Sequence, residues 1–314
     1  MSKGRIIKII GGKFTVLDDT TKERFVCDCA GKLRAVSVDK NSSFNKQITN
    51  KQKKETKVIK LTPKVGDYCD YSVDIHPIIN EIFPRENEMV RPLISNVDQI
   101  LLIFAAKKPD FSFLLLDQFL VLLEQANIKA KIIISKIDLL KKSELEELEN
   151  GLNYYKEIGY DVYFVDSINN VGFDEVKHLF KDKVSVLSGQ TGAGKSTFIN
   201  TLIPGFKLQT QEISNALNRG KHTTRHSELY DFLGGLVGDT PGFSKLDFSL
   251  INKEEMKNYF IEFENYSCKY RGCLHDKEDD CAIKKACNDG IILKSRYESY
   301  VKFLTDIKNV KKVY

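Results

Sequence analysis

Short runs of alternating apolar and polar residues fill the chain from Gly4 to about Val73, a pattern typical of β-strands. Closely spaced strands of this length favour a small barrel, and an OB-fold fits the size. Cys27 and Cys29 are spaced to face one side of a strand, so we expect core thiols there rather than metal ligands. The predicted strands cover residues 5–10, 13–17 and 23–29, and a further strand follows a turn near Gly66.

Beyond Asn96 the pattern changes to buried apolar runs that alternate with segments of helical periodicity. This alternation predicts a parallel α/β domain with right-handed crossovers. Ser143 and Glu146 are placed to form a capping box at the start of its second helix, which Gly159 ends. The predicted strands cover 99–105, 131–134, 161–165 and 184–187, the helices 113–126, 143–158 and 173–180, and the polar face of the first helix comprises Asp117, Gln118, Glu124 and Gln125.

Composition limits the class of protein. The 314 residues, 42% of them hydrophobic and 29% charged, are enough for roughly two or three globular domains. No run approaches the ~20 apolar residues of a membrane span and no signal peptide opens the chain, so we expect a cytoplasmic protein without a membrane partner. A net charge of +5 suits a nucleic-acid surface, but a solvated lysine-rich surface explains it as well. The seven cysteines, an odd number, suggest reduced thiols, some of which could hold metal.

The segment Gly189–Ser196 has the G-x-x-x-x-G-K-S form of a phosphate-binding loop. An apolar strand precedes it, and a short helix that Pro204 stops follows it. The glycines let successive backbone N–H groups point at phosphate oxygens, and the helix N-terminus favours an anion. We expect Lys195 to reach the β- and γ-phosphates and to act in catalysis, and the Ser196 hydroxyl to bind Mg²⁺.

A second motif, at residues 135–138, follows the strand at 131–134 and resembles the N-K-x-D base-recognition motif of GTPases. The Asp138 carboxylate can accept two hydrogen bonds from guanine, a donor pair that adenine lacks, while the Lys136 stem lies against the base. Ser135 replaces the usual Asn, which leaves one base contact open and keeps an ATP-using enzyme as an alternative. Ser167, in the loop after the next strand, is the candidate for a backbone contact to guanine O6, with an ordinary loop as the alternative.

Two downstream segments complete the predicted nucleotide site. Asp239 follows a strand and begins a D-x-P-G motif, in which the Gly242 amide would sense the γ-phosphate. Asp239 would hold Mg²⁺ through water, and Thr223 or Thr224 would complete the metal shell. The expected nucleotide contacts are Ser135, Lys136, Asp138, Ser167, Gly189, Gln190, Thr191, Gly192, Ala193, Gly194, Lys195, Ser196, Thr197 and Gly242.

These motifs occur in the order base recognition, phosphate loop and switches, whereas Ras-like GTPases run the other way. The same sheet can be built with the chain cut at another point, so we predict a circular permutation. The segment after Gly242 then leads directly into the C-terminal region, to which it could transmit a rearrangement on loss of the γ-phosphate.

A metal-binding pattern follows, with the spacing Cys-x4-Cys-x-His-x5-Cys. Three soft thiolates and one imidazole suit tetrahedral Zn²⁺, and one structural ion per chain would supply folding energy to a segment with little core. Reduced cysteines with an unrelated histidine are the alternative, and Cys287 is left out of the set. The proposed ligands are Cys268, Cys273, His275 and Cys281.

An amphipathic helix is predicted from Arg296 to Val310. Its inward residues should be Tyr297, Tyr300, Leu304 and Ile307. A basic zinc module beside a GTPase suggests an RNA partner. The basic residues expected around the metal site are Lys269, Arg271, Lys284, Lys285, Lys294 and Arg296.

Together, residues 189–196, 220–225 and 239–243 and the zinc motif resemble ribosome small-subunit-dependent GTPase A, a family of bacterial assembly factors. The resemblance covers nearly the whole chain. It implies an OB-fold at 1–75, a circularly permuted P-loop GTPase domain at 76–247 and a zinc-binding α-helical domain at 248–314. It also implies GTP hydrolysis stimulated by the small ribosomal subunit, a role in late maturation of that subunit, and contacts of the barrel and the zinc domain with its 16S rRNA.

The chain departs from this family at Ser135, at Asp166 and in a Lys-rich insertion near residues 39–57, which is either an RNA contact or a solvated loop. Phe243 stands where Ras-like enzymes place a Gln that orients the attacking water, so slow intrinsic turnover is predicted. His222 is the candidate to position water once the subunit orders its loop, or else it only contacts the loop or RNA. An RNA-binding module with a sensing nucleotide site is the competing class, and a monomer is expected.

Overall fold

The computed structural model describes residues 2–30, 36–38, 57–59, 62–73, 75–89, 93–206, 228–239, 248 and 251–309. The chain divides into two compact units, each assembled from separate stretches of sequence. The first unit comprises Met1–Asp98, His178–Leu187 and Lys207–Gly242, and the second comprises Gln99–Lys177, Ser188–Phe206 and Phe243–Tyr314. The three domain boundaries given above remain a prediction, and the Lys-rich insertion lies outside the described residues except at its last residue, Lys57.

Strands dominate the N-terminal part and alternate with helices afterwards. The strands are β1 (Ser2–Ile10), β2 (Lys13–Asp18), β3 (Arg24–Cys29), β4 (Val36–Val38), β5 (Lys57–Ile59), β6 (Tyr68–Ser72), β7 (Ile78–Ile82), β8 (Glu88–Met89), β9 (Ile94–Ser95), β10 (Gln99–Ala105), β11 (Lys129–Ser135), β12 (Asp161–Phe164), β13 (Val184–Gly189), β14 (Leu229–Phe232) and β15 (Gly235–Asp239). The α-helices are α1 (Phe113–Ala126), α2 (Lys142–Glu157), α3 (Phe173–Lys177), α4 (Lys195–Leu202), α5 (Ala282–Asn288) and α6 (Lys294–Asn309), and 3-10 helices cover Ile137–Leu139, Met256–Tyr259 and Ile261–Asn265.

A closed barrel in the first unit has the strand order β1-β2-β3-β7-β6. Its strands pair antiparallel except for β3 and β7, which run parallel. Ile6, Val16 and Tyr71 are fully buried inside it together with Cys27, and the half-buried Cys29 packs against the same core. The predicted barrel is therefore confirmed, and Cys27 lies in its core while Cys29 packs against that core.

The first unit also holds three strands from the predicted α/β region. β13 pairs parallel with β15 through residues 184–187, and β14 pairs antiparallel with β15. Two ion pairs join the barrel to the chain around β14, from Lys8 to Glu228 at 2.7 Å and from Arg24 to Asp231 at 2.6 Å. The barrel and these strands thus share one compact unit.

In the second unit, β10, β11 and β12 form a parallel array in the order β12-β11-β10. Every residue of β10 is buried, as its continuous apolar run predicts for a strand covered on both faces. Ala105 pairs with Ser135, so β10 and β11 end at the same level. The loops that follow these two strands therefore leave the sheet together.

Helix α1 has the predicted bounds, and its predicted polar residues are buried or half-buried. Asp117 is 0% exposed, because its carboxylate pairs with Arg296 of α6, and Gln118, Glu124 and Gln125 are half-buried. The helix is covered on that side by the C-terminal part of the same unit, which sequence periodicity could not register. The face that carries these polar residues is therefore covered rather than exposed to solvent.

The predicted capping box at the start of α2 is also wrong. The helix begins at Lys142, and the Glu144 carboxylate accepts a hydrogen bond of 2.8 Å from the backbone N–H of Lys141. Glu144 occupies the third helical position, which favours it over Glu146 as the residue that reaches back to the cap. Because the helix begins at Lys142 and not at Ser143, Glu144 rather than Glu146 forms the capping hydrogen bond.

The C-terminal part of the second unit packs around a core that includes Phe260, Phe263 and Tyr300, and that core also contacts Val121 of α1. Tyr300 and Leu304 are fully buried and Tyr297 and Ile307 are partly buried, so the predicted inward face of α6 is confirmed. Across the described part of the chain, none of the helices combines the length and the apolarity needed to span a membrane.

Candidate nucleotide site and metal centre

The phosphate loop joins β13 to α4. Gly189 has a φ of +118°, and a Cβ at this position would lie 2.2 Å from the carbonyl oxygen of Ile103, so no residue but glycine fits. Ala193 is buried, whereas Thr191, Ser196 and Thr197 are exposed. The loop therefore leaves a buried strand end, and these polar side chains of the loop and of the first turn of α4 face solvent, where a phosphate could approach them.

Lys195 is the first residue of α4, and its ammonium folds back over the loop. Its Nζ donates hydrogen bonds to the carbonyl oxygens of Gly189 at 3.3 Å and Gln190 at 3.0 Å. The positive charge is thus held at the start of the helix, where the backbone N–H groups also favour an anion.

The loop after β11 meets the phosphate loop directly. The Ser135 hydroxyl lies 2.6 Å from the carbonyl oxygen of Ala193, a residue 58 positions later in the chain. Lys136 has a φ of +58°, and its Nζ donates to the carbonyl oxygens of Gly192 at 2.7 Å and Lys108 at 2.5 Å. A left-handed lysine is uncommon, and here it aims a cation between two loops. The structure therefore brings the predicted base and phosphate motifs together.

The loop after β10 forms a third wall of this site, which sequence reasoning missed. The Gln190 side chain donates through Nε2 to the carbonyl oxygen of Asp110 at 3.1 Å, and Lys108 accepts the bond from Lys136. The signal that could have found it is its position at the carboxyl end of a parallel strand, where ligands of open α/β sheets bind.

Asp138 lies in the short 3-10 helix after Lys136 and is exposed. Among the residues that the structure describes, no hydrogen bond or ion pair engages its carboxylate. The residue is thus placed where a base could approach it, beside the loop that carries Ser135 and Lys136.

The loop after β12, which contains Ser167, is shaped by Asp166. The Asp166 carboxylate accepts from the backbone N–H groups of Ile168 at 2.7 Å and Asn169 at 3.1 Å, and from the Asn169 side chain at 2.5 Å. Burial by itself would raise the pKa of Asp166, but these hydrogen bonds outweigh it and lower the pKa. The departure at Asp166 thus has a structural reason, because the carboxylate closes the turn that presents Ser167.

The predicted switch residues are only partly described. Asp239 ends β15, where its backbone pairs with Leu187 of β13. Thr223, Thr224, His222, Gly242 and Phe243 lie outside the described residues.

Four side chains near α5 form a cluster of metal-binding type: Cys268, Cys273, His275 and Cys281. Their ligand atoms all lie within 4.8 Å of one another, with 3.4 Å from His275 Nδ1 to the sulfurs of Cys268 and Cys281 and 3.9 Å between those sulfurs. Tetrahedral zinc holds ligand atoms about 3.5–3.8 Å apart. Burial raises the pKa of the Cys273 thiol to about 12, whereas a coordinated cation keeps a thiol deprotonated. The donor set could therefore hold a metal ion.

Three side chains hold the backbone of the metal loop by hydrogen bonds, a role that the sequence analysis did not predict for them. Glu278 accepts from the backbone N–H groups of Leu274 at 2.8 Å and Asp276 at 3.0 Å, on either side of His275. Tyr300 donates to the carbonyl oxygen of Leu274 at 2.6 Å, and Tyr297 donates to that of His275 at 2.8 Å. The amphipathic pattern of α6 placed these tyrosines inward but could not show what their hydroxyl groups bind.

The basic surface predicted around the metal site is smaller than expected. The prediction that Arg296 belongs to this surface is wrong. Arg296 is fully buried and pairs with carboxylates inside the unit. Lys269 pairs with Asp280 at 3.0 Å, and Lys294 lies 3.9 Å from Glu298. Of the others, Arg271 and Lys285 are exposed and Lys284 is half-buried.

Comparison with known proteins identifies the family. A family model described as RsgA GTPase matches residues 82–249. The chain belongs to this family. It is 42% identical to the small ribosomal subunit biogenesis GTPase RsgA of Bacillus subtilis (strain 168), with 100% of both chains covered. It is 40% identical to the RsgA protein of Onion yellows phytoplasma, with 98% of this chain and 99% of that protein covered.

Two solved structures extend the RsgA likeness to the fold. YjeQ from Thermotoga maritima matches with a TM-score of 0.82 and 31% identity over 99% of both chains. YloQ, described as a circularly permuted GTPase, matches with a TM-score of 0.77 and 37% identity over 100% of this chain and 97% of that one. The predicted circular permutation and GTPase activity of this RsgA family member are thereby confirmed, whereas its individual nucleotide contacts remain predictions.

Proposed function

We propose that the protein hydrolyses GTP to GDP and phosphate in late maturation of the small ribosomal subunit, and that the subunit stimulates the reaction. The observation that carries this proposal is the junction of the two loops, in which Ser135 and Lys136 bond to carbonyl groups of Ala193 and Gly192. Such a junction sets a base and its phosphates at a fixed separation. Relatives whose names specify small ribosomal subunit biogenesis support the choice of partner.

Within this site, each side chain has a distinct task. Asp138 accepts hydrogen bonds from the N1–H and N2 amine of guanine, and the N–H groups of the phosphate loop bind the phosphates. Lys195 turns from its carbonyl partners to the β- and γ-phosphates. Ser196 and Asp239, with Thr223 or Thr224, would hold Mg²⁺, which would supply positive charge to the transferring phosphoryl group.

Positioning of the attacking water is the step for which the sequence lacks the usual glutamine. Phe243 offers no polar group, so turnover by the protein alone is slow. We assign the positioning of water to His222, and this assignment applies after the subunit has ordered the loop.

We further propose that Cys268, Cys273, His275 and Cys281 bind one structural Zn²⁺. The ligand separations and the presence of three thiolates favour zinc over oxygen-seeking ions. We also propose that the barrel and this metal module bind 16S rRNA. The protein would act in the cytoplasm as a monomer. The exposed side chains of Arg271 and Lys285 are basic contacts that the module offers to RNA phosphate.

The decisive experiment measures GTP turnover with and without purified small ribosomal subunits, with ATP as the control nucleotide. We expect slow GTP hydrolysis alone, strong acceleration by subunits, and no turnover of ATP. A Lys195→Ala variant should lose both rates, which excludes a contaminating hydrolase. Normal GTP binding without acceleration would overturn the proposed partner and favour an RNA-binding sensor. Equal use of ATP would overturn guanine selection.

A further inference from the structure

Ser135 occupies an enclosed position between two backbone carbonyl groups. Its side chain lies at the end of β11 and the residue is 3% exposed. The Oγ is 2.6 Å from the carbonyl oxygen of Ala193 in the phosphate loop and 3.1 Å from that of Phe104 in β10. Both neighbours are acceptors only, so the hydroxyl must act as the donor.

A serine hydroxyl carries one hydrogen, which limits what this residue can do. The shorter distance assigns that hydrogen to Ala193. Guanine N7 and O6 are acceptors, so a base contact there would require a second donor. An asparagine at this position would offer two N–H donors and could serve the phosphate loop and the base together. The change from Asn to Ser therefore retains one of two contacts.

We propose that Ser135 is a positioning residue that ties the phosphate loop to the base loop, and that the protein does not read guanine N7 through it. Guanine selection then rests on Asp138, which addresses the N1 and N2 edge. This inference rests on the proposed GTP-binding function and revises the expectation that Ser135 contacts the base.

The test compares the dissociation constants of GTP and 7-deaza-GTP, which lacks the N7 acceptor, for the full-length protein and its variants. Wild type should bind the two nucleotides within about twofold of each other. Ser135→Ala should weaken both by about fivefold, the effect of one lost hydrogen bond, and leave their ratio unchanged. Ser135→Thr, which keeps the hydroxyl, should restore both constants.

Ser135→Asn tests the opposite direction, because its amide supplies the missing donor. This variant should bind GTP at least about threefold more tightly than 7-deaza-GTP. Ser299→Ala is the matched control, since Ser299 is also 3% exposed and donates to a backbone carbonyl, that of Ser295, at 3.0 Å. It should leave both nucleotide constants unchanged even if it lowers the melting temperature.

Three results would overturn the inference. The first is a wild type that discriminates against 7-deaza-GTP by tenfold or so and loses that preference in Ser135→Ala. The second is a Ser135→Ala variant with wild-type affinity for GTP. The third is a loss of affinity that Ser299→Ala reproduces, which would make the Ser135 effect one of general stability. Each leaves GTP binding by the wild type intact, whereas a wild type that binds neither nucleotide would overturn the proposed function itself.

Discussion

The guanidinium of Arg296 donates a hydrogen bond of 2.7 Å to the carboxylate of Asp117, and neither side chain is exposed to solvent. Arg296 also pairs with Glu262 at 2.8 Å, and Tyr155 donates to Asp117 at 2.7 Å. The Phe260 ring covers the guanidinium at 4.4 Å. Burial alone would lower the pKa of Arg296, but the two carboxylates outweigh it and raise the pKa. One buried cation thus joins α1 to the C-terminal part of its unit.

Replacing Arg296 by Met should destabilise the protein by about 3–5 kcal/mol, because two buried carboxylates lose their partner. The midpoint of urea unfolding is the measurement. Lys294→Met is the matched control, since Lys294 is exposed on the same helix, and it should change the midpoint little.

The same cluster of charges predicts that further substitutions can compensate for the loss of Arg296. Arg296→Met with Asp117→Asn and Glu262→Gln removes all three charges and should recover part of the lost stability, since no charge remains buried without a partner. A triple variant that is less stable than Arg296→Met alone would show that the charges do not act as a unit.

Glu278→Ala should weaken metal binding by roughly 10–100-fold, because its carboxylate holds the backbone on both sides of His275. Competition with a chromogenic chelator would give the affinity. Asp279→Ala removes the neighbouring exposed carboxylate and should leave the affinity unchanged. Equal losses in the two variants would point to local charge rather than to backbone positioning.

Asp138→Asn should exchange guanine for xanthine preference, because the amide donates where the carboxylate accepts and xanthine offers an acceptor at C2. We expect weaker GTP binding and stronger binding of xanthosine triphosphate, both measured by displacement of a fluorescent nucleotide. Unchanged selectivity would remove Asp138 from the base site.

His222→Ala should abolish the stimulation of hydrolysis by small subunits while GTP affinity stays at the wild-type value. Single-turnover hydrolysis with and without subunits separates the two quantities. Normal stimulation in this variant would leave His222 as a contact of its loop or of RNA.

Asp18 predicts a pH dependence of barrel stability. The hydroxyl of Tyr71 and the backbone N–H of Thr21 lower the pKa of Asp18 from 3.8 to about 2. Folding therefore favours the charged carboxylate. The contribution of Asp18 to the free energy of unfolding is fully present above the pKa that the residue has in the unfolded chain, and it is lost as the pH falls toward about 2. Asp18→Asn should lower the unfolding midpoint at neutral pH, and the gap to wild type should narrow in acid. Asp19→Asn, at an exposed position, should show no such convergence.

The sequence predicted the features that leave a local pattern. β10 and α1 were placed correctly because an apolar run and a helical period end at clear turn signals. The phosphate loop and the metal cluster were found because their spacing is fixed by ligand chemistry. No local pattern indicates the pairing of Arg296 with Asp117, because the two residues lie 179 positions apart in the chain. Both are also buried, whereas charged side chains are usually exposed. The bond from Ser135 to Ala193 was missed for the same reason.

The distance along the chain between Asp117 and Arg296 also constrains the order of events during synthesis. A ribosome that adds about 5–20 residues per second completes Arg296 on the order of ten seconds or more after Asp117. Through that interval the Asp117 carboxylate on α1 lacks its buried cationic partner, and the apolar cover of that face has not been made. Helix α1 should therefore reach full resistance to proteolysis only after α6 has emerged, although every phosphate-loop residue has been translated long before.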